Sequence, residues 1–343
     1  MRSRVVYWDL IRIVAMLGVI MNHATANALA KMSYIENWNF ASVMICIVTP
    51  AVPLFFMISG AAILNSPRTY NIGRIFRRRL FRIIVPYVMW SFISLVTFEF
   101  MDHQHFSWTP IWNTMMMIFH KPTFEAFWFL YPLIGFYLLS PLLKAMVDHA
   151  DTKLLDYAII IWFVTNFLLP VLSQSLPKPW PKILDVYSMG SLMFLAKSLG
   201  YFILGYRLTL VKKIRLKPIV NILLSFIVLV VMIFVNYLNY KYKNINIPII
   251  GYAPAILTPL LASLNFLFFK QIGSTLSAKE ARIVEYIAPL TYGVYLIHGI
   301  GIRIAQNFTK DLNFTLIFLI AAGFSLAVIW IVYRIPFINK LLS

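Results

Sequence analysis

The chain has 343 residues, 61% of them hydrophobic and only 12% charged, and its mean hydropathy is +0.79. A soluble domain carries about 25% charged residues, so a water-soluble globule is excluded and an integral membrane protein is expected. The formal net charge of +18 would suit nucleic acid, but the basic residues sit in loops beside apolar runs, where membrane topology accounts for them and no nucleic-acid partner is expected.

Long apolar runs recur along the chain, which predicts an all-α polytopic membrane bundle rather than a barrel. About ten spans are expected, near 6–29, 39–64, 83–101, 127–143, 157–176, 191–207, 218–236, 248–269, 286–304 and 313–333. The first is too long for a removable signal peptide and leads directly into the second, so it is expected to be retained. With the N-terminus inside, the inner segments hold 20 Lys and Arg against 8 in the outer ones. That asymmetry predicts an even number of spans with both termini cytoplasmic. No segment reads as a soluble domain, so 1–343 is expected to be one transmembrane domain. A single cysteine, Cys46, leaves no internal disulfide or thiolate metal site.

The first span carries Asp9, Arg12 and His23, and ionisable groups in hydrocarbon need a partner or a water-filled cavity. Arg12 and His23 are eleven residues apart, three turns plus roughly 20° at about 100° per residue, so both fall on one helix face, ~16 Å apart along the axis. A polar tunnel along this stripe is therefore expected. His23 suits a general base near neutral pH, or else hydrogen-bonds a neighbouring helix. Arg12 suits an anion, or else pairs structurally with Asp9 one turn earlier.

In the second span, Ser59-Gly60 permits close helix approach, and Ser59 can also donate a hydrogen bond. Arg74, Arg77, Arg78, Arg79 and Arg82 then lead into the third span at Pro86-Tyr87. The guanidinium fork suits phosphate, and Arg79 and Arg82 are one turn apart; anchoring on anionic membrane lipid is the plainer role. In the loop that follows, His103 and His105 have metal-ligand spacing without a visible third ligand, so no metal is expected. Glu125 precedes an aromatic run, 127–131, in which Trp128 serves either an interfacial belt or an acceptor groove. Tyr295 and His298, one turn apart in the ninth span, fit an acceptor contact, a proton relay or a helix–helix hydrogen bond.

Taken in order, Asp9-x-x-Arg12 and His23, then Phe55-Phe56-x-x-Ser59-Gly60, then Arg74 to Arg82 with Pro86-Tyr87, then Trp128-Phe-Leu130, then Tyr295-x-x-His298, the segments resemble the acyltransferase-3 family of membrane acyltransferases. Within it they are most similar to the enterobacterial-common-antigen O-acetyltransferase subgroup. The family often has a His two residues before that Trp; here the position is Ala126, and Glu125 or His120 would have to take over any role of that His.

The resemblance implies an enzyme of the bacterial inner membrane. It would move an acetyl or other short acyl group from cytoplasmic acetyl-CoA to a sugar hydroxyl of a surface glycan or lipid-linked sugar. It also implies roles. Arg74, Arg77, Arg79 and Arg82 would hold the nucleotide end of the donor and Arg12 its inner part, with Asp9 fixing Arg12. His23 would act as general base or first receive the acyl group. Trp128, Glu125, Tyr295, His298 and Ser59 would shape the acceptor side. Relatives often carry an extracellular hydrolase-like domain; this chain stops about ten residues after its last span, so transfer is expected to finish within the membrane. A transporter or flippase of a glycan or lipid intermediate is the alternative reading, with the stripe as a proton path. A structural subunit of a glycan-synthesis complex is a further one.

Overall fold

The computed structural model describes residues 4–31, 40–102, 106–175, 179, 197–241, 248–309 and 313–342. Every regular element among them is helical. Helix α1 (Val6–Lys31) makes the first crossing. The second is split into α2 (Phe40–Val48) and α3 (Ala51–Leu64). The break falls at Thr49-Pro50, because proline has no N–H with which to continue α2.

The third crossing starts earlier than the expected 83–101. Ile72–Arg74, a π-helical turn over Ile75–Leu80 and Phe81–Asp102 run on as one helix, α4. The arginines therefore lie within the helix rather than before it. Arginine costs little in a helix, and its long stem lets the guanidinium leave the apolar surface.

After the short α5 (Trp108–Met116), a 3-10 turn over Glu125–Phe129 leads into α6 (Leu130–His149). Helix α7 runs from Thr152–Phe163 through a π-turn, Val164–Leu168, to Leu169–Ser175. Then come α8 (Lys197–Thr209), α9 (Pro218–Lys241), α10 (Pro248–Ile272) and α11 (Ala278–Ile287). A 3-10 turn, Ala288–Leu290, joins α11 to α12 (Thr291–Phe308), and α13 (Phe314–Arg334) and α14 (Pro336–Leu342) close the chain.

Nine helical stretches among the described residues are long and apolar enough to cross a membrane. The expected sixth span, 191–207, is described only from Lys197; His103 and His105 lie outside the described residues. Free Cys46 is buried on α2, where Asn236 of α9 bonds its sulfur.

Burial orders the helices. The stretch containing α11 and α12 is 72% buried, whereas α9 is 17% buried with Leu223, Phe226, Ile227 and Val230 exposed. An apolar helix left uncovered faces lipid, so α9 is peripheral and α12 central. Helix α12 packs on α1, α4 and α13.

Helices α3 and α8 approach most closely. A Cβ at Gly60 would stand 1.8 Å from the Phe202 carbonyl oxygen, and one at Gly205 1.9 Å from that of Met57. Backbone cannot yield as a side chain would, so the two helices must part. Gly60→Ala should therefore cost at least about 1–3 kcal/mol and lower the melting temperature of the detergent-solubilised protein. An unchanged melting temperature would refute the contact.

Candidate active site

The site begins where α1 begins. Asp9 is 3% exposed, and its carboxylate takes Arg12 Nη1 at 3.1 Å and Arg4 Nε at 2.5 Å. Arg12 is thus held by the acid one turn before it, and its guanidinium faces a cavity of about 570 Å³. Among the described residues six guanidiniums line that cavity, Arg12, Arg68, Arg74, Arg78, Arg79 and Arg82, and no carboxylate does. Low-dielectric walls around charge of one sign concentrate the field, so the cavity is built for an anion. Its volume is that of a small-molecule site, about 300–1,000 Å³. A second cavity, of about 1180 Å³, shares Arg12, Ser66 and Arg68 with it and also reaches Arg4 and Trp8.

Local structure decides which arginines take part. Arg79 Nη1 donates to Thr69 Oγ1 at 2.8 Å, and Thr69 Oγ1 donates to the Ile63 carbonyl at 2.6 Å, so Arg79 is braced before any ligand arrives. Arg77 does not line the cavity; Arg78 does. The π-turn widens the repeat beyond 3.6 residues, so Arg74, Arg78 and Arg82 share a face and Arg77 turns outward. Arg78→Ala should accordingly raise the dissociation constant for a polyanionic ligand several-fold more than Arg77→Ala, as read by equilibrium binding. Equal effects would mean that the cluster acts only as diffuse charge.

Phe55, Ser59, Phe129 and Tyr295 also line the cavity. The Tyr295 ring lies 5.9 Å from Phe129 and 6.2 Å from Phe55, centre to centre, and Phe55 lies 5.7 Å from Phe129. Beyond this layer, one ring thick, are the imidazoles. The His298 ring is 5.7 Å from Tyr295 and 5.4 Å from His23, and Phe124 packs on both, 5.5 Å from His298 and 5.7 Å from His23. Arg12 lines this cavity and His23 does not; between them stand the aromatic side chains on the expected path from one to the other. Those side chains come from three elements, which periodicity along α1 alone had no means of showing.

The structure thus brings Arg12, Arg74, Arg79, Arg82, Ser59 and Tyr295 to one cavity, and His23, His298 and Phe124 to the far side of its inner wall. Glu125 is exposed but close enough to act electrostatically on His23. Trp128 is 47% exposed, with its ring 6.5 Å from Phe56, and lines neither cavity. Three residues per turn in the 3-10 segment put Glu125 and Trp128 on one outward edge while Ala126, Phe127 and Phe129 turn inward. His120 is exposed. The backbone at Ala126 has a partner instead: its carbonyl accepts the Tyr295 hydroxyl. Pro86-Tyr87 is structural, since the Tyr87 hydroxyl donates to the Ile118 carbonyl at 3.0 Å and ties down the segment before α6.

Sequence reasoning passed over Arg68, Phe124 and Tyr292, and left Arg78 out of the donor set. The four-residue spacing from Arg74 through Arg78 to Arg82 was a usable signal; nothing marked Phe124. Among the described residues no cluster of three metal-ligating side chains occurs.

Fold and site define a multi-pass helical membrane protein in which an arginine-lined cavity lies beside a pair of imidazoles, the part-buried His23 and the fully buried His298. The chain belongs to the acyltransferase-3 family, whose model, described as an acyltransferase domain, matches residues 5–334. The protein is on that ground a membrane acyltransferase. No curated protein and no solved structure matches the chain.

Proposed function

We propose that this acyltransferase moves an acetyl or other short acyl group from acyl-CoA to a sugar hydroxyl of a cell-surface glycan or lipid-linked sugar. The observation that carries the reading is one cavity lined both by six arginines and by the aromatic side chains Phe55, Phe129 and Tyr295. Coenzyme A has matching parts, a phosphate-rich head and a thin, weakly polar arm. On this reading the arginine end faces the cytoplasm, where acyl-CoA is made, and the excess of Lys and Arg in the segments counted as inner supports that orientation; a bacterial inner membrane is part of the same proposal. Arg12, Arg74, Arg79 and Arg82, with Arg68 and Arg78, hold the phosphates as charge-assisted hydrogen bonds. Arg77 contributes long-range charge.

The thioester then lies at the Phe55–Phe129–Tyr295 layer, and rotation of one phenyl ring opens it toward His23. His23 takes the proton of the acceptor hydroxyl; the oxygen attacks the thioester carbonyl, the C–S bond breaks, and the thiolate leaves to be protonated. Ser59 borders the path on the donor side, and Glu125 and Trp128 lie on the acceptor side.

Purified protein in lipid, given acyl-labelled acetyl-CoA and a lipid-linked glycan, tests this. Label should pass to the glycan with equal release of CoA thiol, and a glycan of the enterobacterial-common-antigen type is the first acceptor to try. Movement of the glycan across vesicles without thiol release would instead establish the transporter.

A further inference from the structure

The chemistry proposed above uses His23 and leaves one buried group without a function. His298 is 0% exposed at the centre of α12. Its Nδ1 meets the Tyr295 carbonyl one turn earlier, which accepts a hydrogen bond and so places the proton on Nδ1. In the neutral ring Nε2 must then carry a lone pair. Nε2 is buried and has no hydrogen-bond partner among the described residues. Buried acceptors are ordinarily satisfied, and an orphan in a central helix calls for an explanation.

Three rings surround His298. Tyr295 and Phe124 offer it ring faces and edges at 5.7 and 5.5 Å, and the Tyr295 hydroxyl is already given to the Ala126 carbonyl. Only His23, 5.4 Å away, brings an N–H donor. An N–H···N bond of about 3 Å between two imidazoles puts their centres about 5 Å apart, so the 5.4 Å between these rings is the separation such a bond requires.

We infer that His298 is the positioning residue of His23: its unpartnered Nε2 accepts the N–H of His23, fixing the ring so that the other nitrogen offers its lone pair to the acceptor hydroxyl. The inference rests on the acyltransfer reading and adds to it a second imidazole that never touches substrate. The backbone carbonyl of Tyr295 fixes His298, and His298 in turn fixes His23. When His23 takes the hydroxyl proton it becomes a cation, and the same Nε2 lone pair faces the proton it already held, so the charge gains a fixed partner inside the bundle. A carboxylate in that position would bring a full negative charge into a dry core; a neutral imidazole supplies an acceptor without one.

The test compares His298→Gln, which keeps an acceptor oxygen near the Nε2 position, with His298→Phe, which keeps the ring volume and loses the lone pair. The expected result for Phe is a kcat at least tenfold below that of the unaltered protein with KM for acyl-CoA within twofold, and for Gln recovery of most of that loss. His298→Ala supplies a measurement that does not depend on the Phe variant folding. Added imidazole should restore its turnover at least fivefold, whereas pyrrole, a ring of the same size without an in-plane lone pair, should not. Equal losses in Gln and Phe, a Phe variant within twofold of the unaltered kcat, or equal rescue by pyrrole would overturn the inference while leaving acyl transfer standing. No transfer by the unaltered protein would overturn the acyltransfer reading and the inference together.

Discussion

His23→Ala is expected to lower acyl transfer by about 10²–10⁴-fold, the usual contribution of a positioned general base. Binding of acyl-CoA should stay within twofold of the unaltered value. The two readouts separate because the arginine cavity and the imidazole pair lie on opposite sides of the Phe55–Phe129–Tyr295 layer. His23 is not among the described residues that line the cavity, and the rings it packs on, Phe124 and His298, are not either, so its loss removes a proton acceptor and no phosphate contact. Turnover with labelled acyl-CoA and equilibrium binding on the same preparation check both halves. Retention of more than a tenth of the turnover would take His23 out of the chemistry. A matching loss of donor affinity would show instead that the inner wall had collapsed.

Arg79→Ala is expected to weaken acyl-CoA binding about 10–100-fold, since one hydrogen bond to a charged group contributes roughly 1.5–3 kcal/mol. Arg79 is singled out because it is half-buried and braced on Thr69, so water screens it less than its neighbours and less side-chain entropy is lost on binding. KM for the donor should rise while kcat at saturation changes little. Raising the salt concentration should weaken the unaltered protein more than the variant, because the variant has one charge fewer to screen. Donor affinity that ignores both the substitution and the salt would return the cluster to the plainer role of anchoring anionic lipid.

Much of the architecture was readable from hydropathy. A stretch of apolar residues long enough for a bilayer has few alternatives to a helix, because unpaired backbone groups are not tolerated in hydrocarbon. The boundaries were less readable, for local reasons. Arg74 to Arg82 looked like a charged approach to a span, yet arginine is a good helix former, and α4 runs through it. The second span looked continuous, and Pro50 divides it.

The site divides in the same way. Asp9 with Arg12 is a contact within one turn of one helix, so spacing sufficed to find it. Gly60 was rightly suspected of close packing, but its partner, the Phe202 carbonyl, belongs to a helix 142 positions later in the chain. The acceptor role of Trp128 and Glu125 came from the family resemblance; that both stand on one outward edge follows from the 3-10 turn, which the sequence did not mark.

By itself, then, the sequence determined that this is a helical membrane protein, which of its helices carry ionisable groups, and the pairing of Asp9 with Arg12. Those properties depend on side-chain chemistry and on neighbours within a turn. Only the tertiary structure decided that six arginines from three segments share one cavity, that three aromatic rings from separate elements meet in its wall, and that the His298 ring packs beside His23. These are meetings of residues far apart in the chain, fixed by how helices rotate and pack against one another, and no periodicity along a single helix encodes the face its neighbour presents.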